Sequence, residues 1–212
     1  AACAAWPNCA ASKKASPTRY SDSMATEKEK MLAGELYDCG DAELLERWYK
    51  AKELQTEYNN TSPRQKEKLA ALLDQLLGQR GEDVWIAAPF FVDYGENIFL
   101  GNRVEINMNC TFLDCNRITI GDYSGIGPGV HIYTVYHPTI PDERLSTDRS
   151  FWKSQAQPVT IGKNVWIGGG SIILPGVTIG DGTTIGAGSV VTRPIPDHCI
   201  AVGNPCRVIK RI

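Results

Sequence analysis

Among the three histidines, His137 is the best placed for chemistry. It stands in Tyr136-His137-Pro138, and a proline restrains the residue before it to extended geometry, which would fix the direction of the imidazole. An imidazole titrates near neutrality and is the usual side chain for taking a proton from a hydroxyl. A solvated loop histidine is the plain alternative. His137 lies, however, within residues 133–158, which carry three prolines, many charges and no apolar period. A loop of that length inside a compact domain is commonly functional. His131 falls at a periodic position and reads as a packed or rim residue. His198, between Asp197 and Cys199, has no assigned role.

Other chemistries find less support. His131 and His137 are six residues apart, with no third histidine nearby and no CxxC, so zinc ligation is poorly supplied. No GxSxG elbow supports a serine hydrolase, and no GxGxxG joins a strand to a helix. The basic residues Arg193, Arg207, Lys210 and Arg211 contrast with the nearly charge-free stretch 164–192. Clustered cations beside an apolar wall suit a ligand with phosphates at one end and an apolar arm at the other. They would equally solvate an exposed terminus.

These residues hang on a repeat. Ile161, Ile167, Ile173, Ile179, Ile185 and Val191 recur every six residues, and Gly follows four of them. Val165, Ser171, Val177, Thr183 and Ser189 stand two before each next aliphatic. A period of six fits neither a helix nor an ordinary strand, but it fits a hexapeptide β-helix, in which three short runs close one coil. Leu100, Ile106 and Phe112, then Ile120, Ile126 and Ile132, keep the period with a slip across Asp114–Arg117. The β pattern begins at Val84 and is interrupted only by the loop 133–158.

Residues 24–82 read as a helical cap over one end of the solenoid, which needs such a cover for solubility. Asp41 is the expected N-cap of a helix with apolar positions Leu44, Trp48, Ala51, Leu54 and Tyr58. Ser62-Pro63-Arg64-Gln65 offers a capping box for a second helix whose stripe is Leu69, Leu72, Leu73, Leu76 and Leu77, stopped by Gly78 and Gly81. A partner-binding helical hairpin is the sharper alternative. Residues 1–23 show no periodicity and read as a disordered, vector-derived or targeting extension ahead of Met24.

The chain has 212 residues and net charge −2, so no global basic field would recruit nucleic acid or an anionic membrane. No apolar run approaches membrane-spanning length. Seven cysteines without a CxxC read as reduced thiols, with Cys110 and Cys206 as small buried residues, and so as a cytoplasmic home. Cys3 and Cys9 could form a clip.

Residues 24–212 resemble the maltose/galactoside O-acetyltransferases of the hexapeptide-repeat acyltransferase superfamily. The resemblance is carried by the helical start from Met24 to Tyr37 and by the segments 93–102, 129–134, His137-Pro138, 158–162, 164–168 and 203–207. It implies a left-handed parallel β-helix, assembled as a homotrimer with acetyl-CoA between subunits. It also implies His137 as the general base that deprotonates a sugar hydroxyl, usually the 6-OH, with no metal required. Asp93 and Asn107 match acceptor-contacting positions, and Asp38 or Asp41 supplies a further acid from the cap. Trp166, Gly169, Ala187, Thr192, Arg193, Arg207 and Lys210 match coenzyme A positions. Asp93 within DYGENIFLGN is similar to the maltose side of the family, whereas Glu105 replaces a usual aromatic and Asn109 a common acid.

The leading expectation is therefore transfer of acetyl from acetyl-CoA to a glucosyl-type sugar such as maltose or glucose. A non-catalytic β-helix scaffold that binds CoA, or a zinc-dependent hydratase, are the competing readings.

Overall fold

The computed structural model describes residues 25–146 and 152–212. The expected extension, with Cys3 and Cys9, lies outside the described residues. Residues 79–202 wind a parallel β-helix whose coils each lay one short strand on three walls. The first wall stacks Gln79–Arg80, Ile98–Leu100, Ile118–Ile120, Val159–Ile161 and Thr178–Ile179. The second runs from Trp85–Ile86 through Glu105–Ile106, Gly125–Ile126, Trp166–Ile167 and Thr184–Ile185 to Cys199–Val202, against which Arg207–Arg211 folds back antiparallel. The third stacks Phe90–Val92, Cys110–Leu113, His131–Tyr133, Ile172–Ile173 and Val190–Val191.

The repeat dictates the core. Ile86, Ile106, Ile126, Ile167 and Ile185 stack in register down the second wall and are buried. Val92, Phe112, Ile132, Ile173 and Val191 do the same on the third. The residues two before the aliphatics are buried as well, and their hydroxyls are satisfied: Ser171 donates to the Gly168 carbonyl and Thr183 to that of Pro196. A buried hydroxyl left unpaired would cost more than its packing returns.

The slip at Asp114–Arg117 has a physical cause. Stacked residues are twenty apart in the early coils (Ile106 and Ile126) but eighteen apart in the late ones (Ile167 and Ile185). The longer coils turn a wider corner, where buried Asp114 accepts the N–H groups of Asp93 and Tyr94 at 2.9 Å each. Asn109, which stands where an acid is common, takes φ 61°, a left-handed conformation that asparagine adopts readily. His198 has φ 53° and is likewise a coil corner, its ring packed against Gly182.

Among the described residues α2 (Ala42–Asn60) and α3 (Lys66–Leu76) close the first coil, while α1 (Glu27–Ala33) packs against the strand Lys153–Ala156. Asp41 caps α2 as expected, accepting from the Glu43 and Leu44 N–H groups. The capping box expected at Ser62–Gln65 does not form: α3 starts one residue after Gln65, which makes no side-chain cap. Ser62 instead closes a turn, its carbonyl accepting the Gln65 N–H. A capping box does form at α1, between Thr26 and Glu29. Gly78 and Gly81 belong to the first coil rather than to the end of α3. A Cβ on Gly78 would come within 2.2 Å of the Glu96 carbonyl oxygen, so backbone approach requires glycine there. The first strand, Gln79–Arg80, accordingly precedes Val84.

The described part of 133–158 is not structureless. Val135–Tyr136 and Lys153–Ala156 pair antiparallel as the two sides of an arm. The strand Tyr37–Asp38, between α1 and α2, adds to its other edge by pairing with Ser154 and Lys153. Cap and arm thus share a three-stranded sheet.

Candidate active site

His137 follows directly on the first strand of the arm. Its Nδ1 lies 2.9 Å from the main-chain carbonyl oxygen of Lys153 and 3.4 Å from Ser154 Oγ. A carbonyl oxygen only accepts, so Nδ1 carries the proton and Nε2 keeps its lone pair. That is the tautomer a general base needs. The Trp152 ring meets the imidazole edge-on, with centroids 5.5 Å apart. The ring opens on a cleft of about 490 Å³ lined by Leu36, Tyr136, Pro138, Thr139, Glu143, Lys153 and Gln155.

Behind the arm lies a closed acidic and aromatic cluster. Asp93, 2% exposed, stands 3.8 Å from the Lys52 ammonium and 3.6 Å from Cys115 Sγ. Burial, reinforced by the Asp93 charge, pushes the Cys115 thiol well up. Burial raises the Tyr37 and Tyr94 phenols too. These groups stay protonated at neutral pH, so Cys115 is packing rather than a thiolate nucleophile. The Asp114 carboxyl is pushed up to about 7 by burial, although the Tyr94 N–H it accepts pulls the other way.

The acceptor candidates are divided. Asp38 sits on the strand beside Lys153, with its carboxylate accepting the Gly40 N–H at 2.7 Å. Asp41 is engaged at the start of α2. Asp93 leaves the third wall at the same corner as the arm. Asn107 lies at the next corner round, between the second and third walls, its side-chain oxygen accepting the Met108 N–H.

The coenzyme candidates are divided in the same way. Trp166 is exposed on the second wall, its indole lying on Gly125, where a Cβ would come within 2.8 Å of the ring. In register with it run Thr184, Ile200 and Lys210. At about 4.8 Å per strand, Trp166 and Lys210 are roughly 14 Å apart on one face. Gly169 and Ala187 turn the corner that follows this wall, and Arg207 is exposed opposite Val202 beside it. Thr192 and Arg193 are exposed at the other corner, past the third wall, on the edge from which the arm departs. Glu105 is exposed on the second wall between Trp85 and Gly125, away from the arm.

The sequence did not reveal Lys153, Ser154, Trp152 or Gly125 as parts of this site. Lys153 acts through its main chain, which leaves no side-chain signal. Gly125 could have been found, since it occupies an outward strand position where glycine has no use for a turn.

Among the described residues no group of three His, Cys, Asp or Glu side chains is arranged to hold a metal ion. No described helix is long and apolar enough to cross a membrane. Among the described residues Cys110, Cys115, Cys199 and Cys206 are buried thiols outside any disulfide.

A helix-capped β-helix of hexapeptide coils, bearing an oriented imidazole on an arm, defines a hexapeptide-repeat transferase. A family profile described as the maltose acetyltransferase hexapeptide capping motif matches residues 30–81, and one for the bacterial transferase hexapeptide (six repeats) matches residues 158–193. Nodulation protein L of Rhizobium meliloti (strain 1021) is 48% identical over 183 residues, 86% of this chain and 97% of that protein. A maltose O-acetyltransferase from Clostridium difficile 630 superposes with a TM-score of 0.85 at 46% identity, covering 89% of this chain and 98% of the other. A galactoside acetyltransferase in complex with coenzyme A gives 0.84 at 38% identity, covering 89% and 92%. The chain belongs to the maltose/galactoside O-acetyltransferase family.

Proposed function

We propose that this protein moves an acetyl group from acetyl-CoA to a hydroxyl, the 6-OH, of a glucosyl-type sugar such as maltose or glucose. The carrying observation is the bond from His137 Nδ1 to the Lys153 carbonyl, which leaves the Nε2 lone pair unused on a ring that lines the cleft. Nε2 takes the hydroxyl proton as the sugar oxygen attacks the thioester carbonyl. The tetrahedral oxyanion, held by a backbone N–H, collapses with loss of the coenzyme A thiolate, which recovers the proton from the imidazolium. A positioned base and an oxyanion donor are each worth on the order of 10²–10³ in rate, enough for an activated thioester. The acyl group passes directly, without an acyl-enzyme.

Asp38 and Asp93 are the acceptor-side acids of this reading, with Asn107 supplied from a second copy. The division of candidates between two corners supports a homotrimer. His137, Asp38, Asp93, Thr192 and Arg193 mark one edge of the prism. Asn107, Trp166, Gly169, Ala187, Arg207 and Lys210 mark another edge or its wall. One chain cannot bring both to one cleft, whereas neighbours around a threefold axis can. Coenzyme A fits the second edge: an indole on a glycine for the acyl arm, with Arg207 and Lys210 for phosphates. The free thiols are in keeping with a cytoplasmic home.

The test is His137→Ala, assayed with acetyl-CoA and a panel of sugars by release of free thiol. The variant should keep its sedimentation and lose at least about a hundredfold in kcat. A near-normal rate would remove His137 from the reaction.

A further inference from the structure

We propose that Arg144 is a positioning residue for His137, closing a ring of hydrogen bonds that ties the chain after the histidine to the carbonyl that holds its imidazole. The inference rests on the reading of His137 as general base. Arg144 follows the short 3₁₀ turn Pro141–Glu143 at the far end of the arm. Its Nε–H donates to the Pro138 carbonyl and its Nη2–H to the Thr139 carbonyl, both at 2.9 Å. The same residue's carbonyl accepts the Lys153 N–H at 2.8 Å. The Lys153 carbonyl in turn accepts from His137 Nδ1.

Each bond constrains a different part of the site. The guanidinium holds the two peptides that follow Pro138, so the chain just after the histidine is tied to the arm. The Arg144 carbonyl sets the height of Lys153, and hence the position of the oxygen that selects the imidazole tautomer. A planar fork holds two successive carbonyls in one fixed geometry; an ammonium, a compact charge with three rotatable donors, does not impose that geometry. Loss of the fork frees both the chain after His137 and the orientation of its ring. A reacting group misplaced by about 1 Å can cost up to a hundredfold in rate.

The test compares Arg144→Gln and Arg144→Lys with the parent protein, by steady-state kinetics and by nitrogen-15 NMR of the His137 imidazole. The parent should show the single Nδ1–H tautomer. Arg144→Gln should show a mixture of tautomers and a kcat lower by on the order of tenfold, with the KM for acetyl-CoA unchanged. Arg144→Lys should fall between the two. A merely structural arginine would lower the melting temperature while leaving the tautomer and kcat as in the parent, and that result overturns the proposal. If Arg144→Gln does not fold, Arg144→Lys decides: an intermediate tautomer population supports the ring, and parental values overturn it. The NMR signature is read without any acceptor, so failure of acetyl transfer in the parent would count against the function and not against the positioning.

Discussion

The main-chain oxygen of Lys153 lies 2.9 Å from His137 Nδ1, across the two strands of the arm. Because the partner is backbone, the tautomer of the imidazole is set by strand pairing rather than by the identity of residue 153. Lys153→Ala should therefore leave kcat within about twofold. Ser154→Ala removes a hydroxyl at 3.4 Å, too long for a strong bond, and should cost less than about tenfold. Steady-state rates at saturating acetyl-CoA would check both. A large loss in Lys153→Ala would mean that the ammonium, and not the carbonyl, serves the site.

Gly125 and Trp166 form a second such pair. A methyl at 125 would sit 2.8 Å from the indole Cε3. The indole is exposed at 51%, so it can swing away instead of straining the coil. Gly125→Ala should weaken coenzyme A binding several-fold, on the order of 1 kcal/mol, with little change in melting temperature. Titration calorimetry beside thermal melts separates the two effects.

Much of this was legible in the sequence because the repeat is chemical as well as numerical. An aliphatic every six residues with a small residue two before it has one economical packing, and Ile161 to Val191 packs that way. The arm was not legible. Lys153–Ala156 alternates Lys, Ser, Gln and Ala, so neither face announces a strand, and its partners Val135–Tyr136 and Tyr37–Asp38 are two residues each. Pairing between Tyr37 and Ser154 is specified by tertiary context, with the cap and the coil holding the two segments adjacent. Capping was legible only where a side chain could reach: Asp41 caps α2, while Ser62 is drawn into a turn with Gln65.

The cap should be held by its apolar face and little by its charges. Leu76, at the end of α3, is buried against the first coil, and Leu76→Ala should cost about 2–5 kcal/mol. Arg47 reaches Glu96 on that coil at 3.0 Å, but both side chains are more than a third exposed. Arg47→Ala should cost below about 1 kcal/mol, and less still at high salt. Chemical denaturation of the two variants gives the comparison.

Asp114 should make stability depend on pH. Its folded-state pKa, up to about 7, lies above the value of about 3.9 expected in the unfolded chain. Between those values the folded state holds the extra proton, so this group's contribution to stability is fully present below about pH 4 and is lost as pH rises through about 7. The loss is on the order of a few kcal/mol. Asp114→Asn removes the titration but also replaces an acceptor for the Asn97 N–H. The variant should be the less stable of the two at pH 5, and the gap should narrow by pH 8 as the parent weakens. Denaturation midpoints at the two pH values test it, and a gap that widens would reverse the assignment.

Asp38 and Asp41 should separate function from stability. The Asp41 carboxylate accepts two N–H groups at the start of α2, so Asp41→Ala should lose about 1 kcal/mol of stability and leave the acceptor KM alone. Asp38 lies on the strand paired with Lys153, one strand from the chain that carries His137. One oxygen of its carboxylate accepts the Gly40 N–H, which orders the turn into α2. Asp38→Asn keeps the size and one acceptor oxygen but loses the charge, and should lower kcat/KM for the sugar about tenfold, with the KM for acetyl-CoA unchanged. The opposite pattern, with Asp41→Ala impairing acceptor use and Asp38→Asn only stability, would move the acceptor contact to the end of α2.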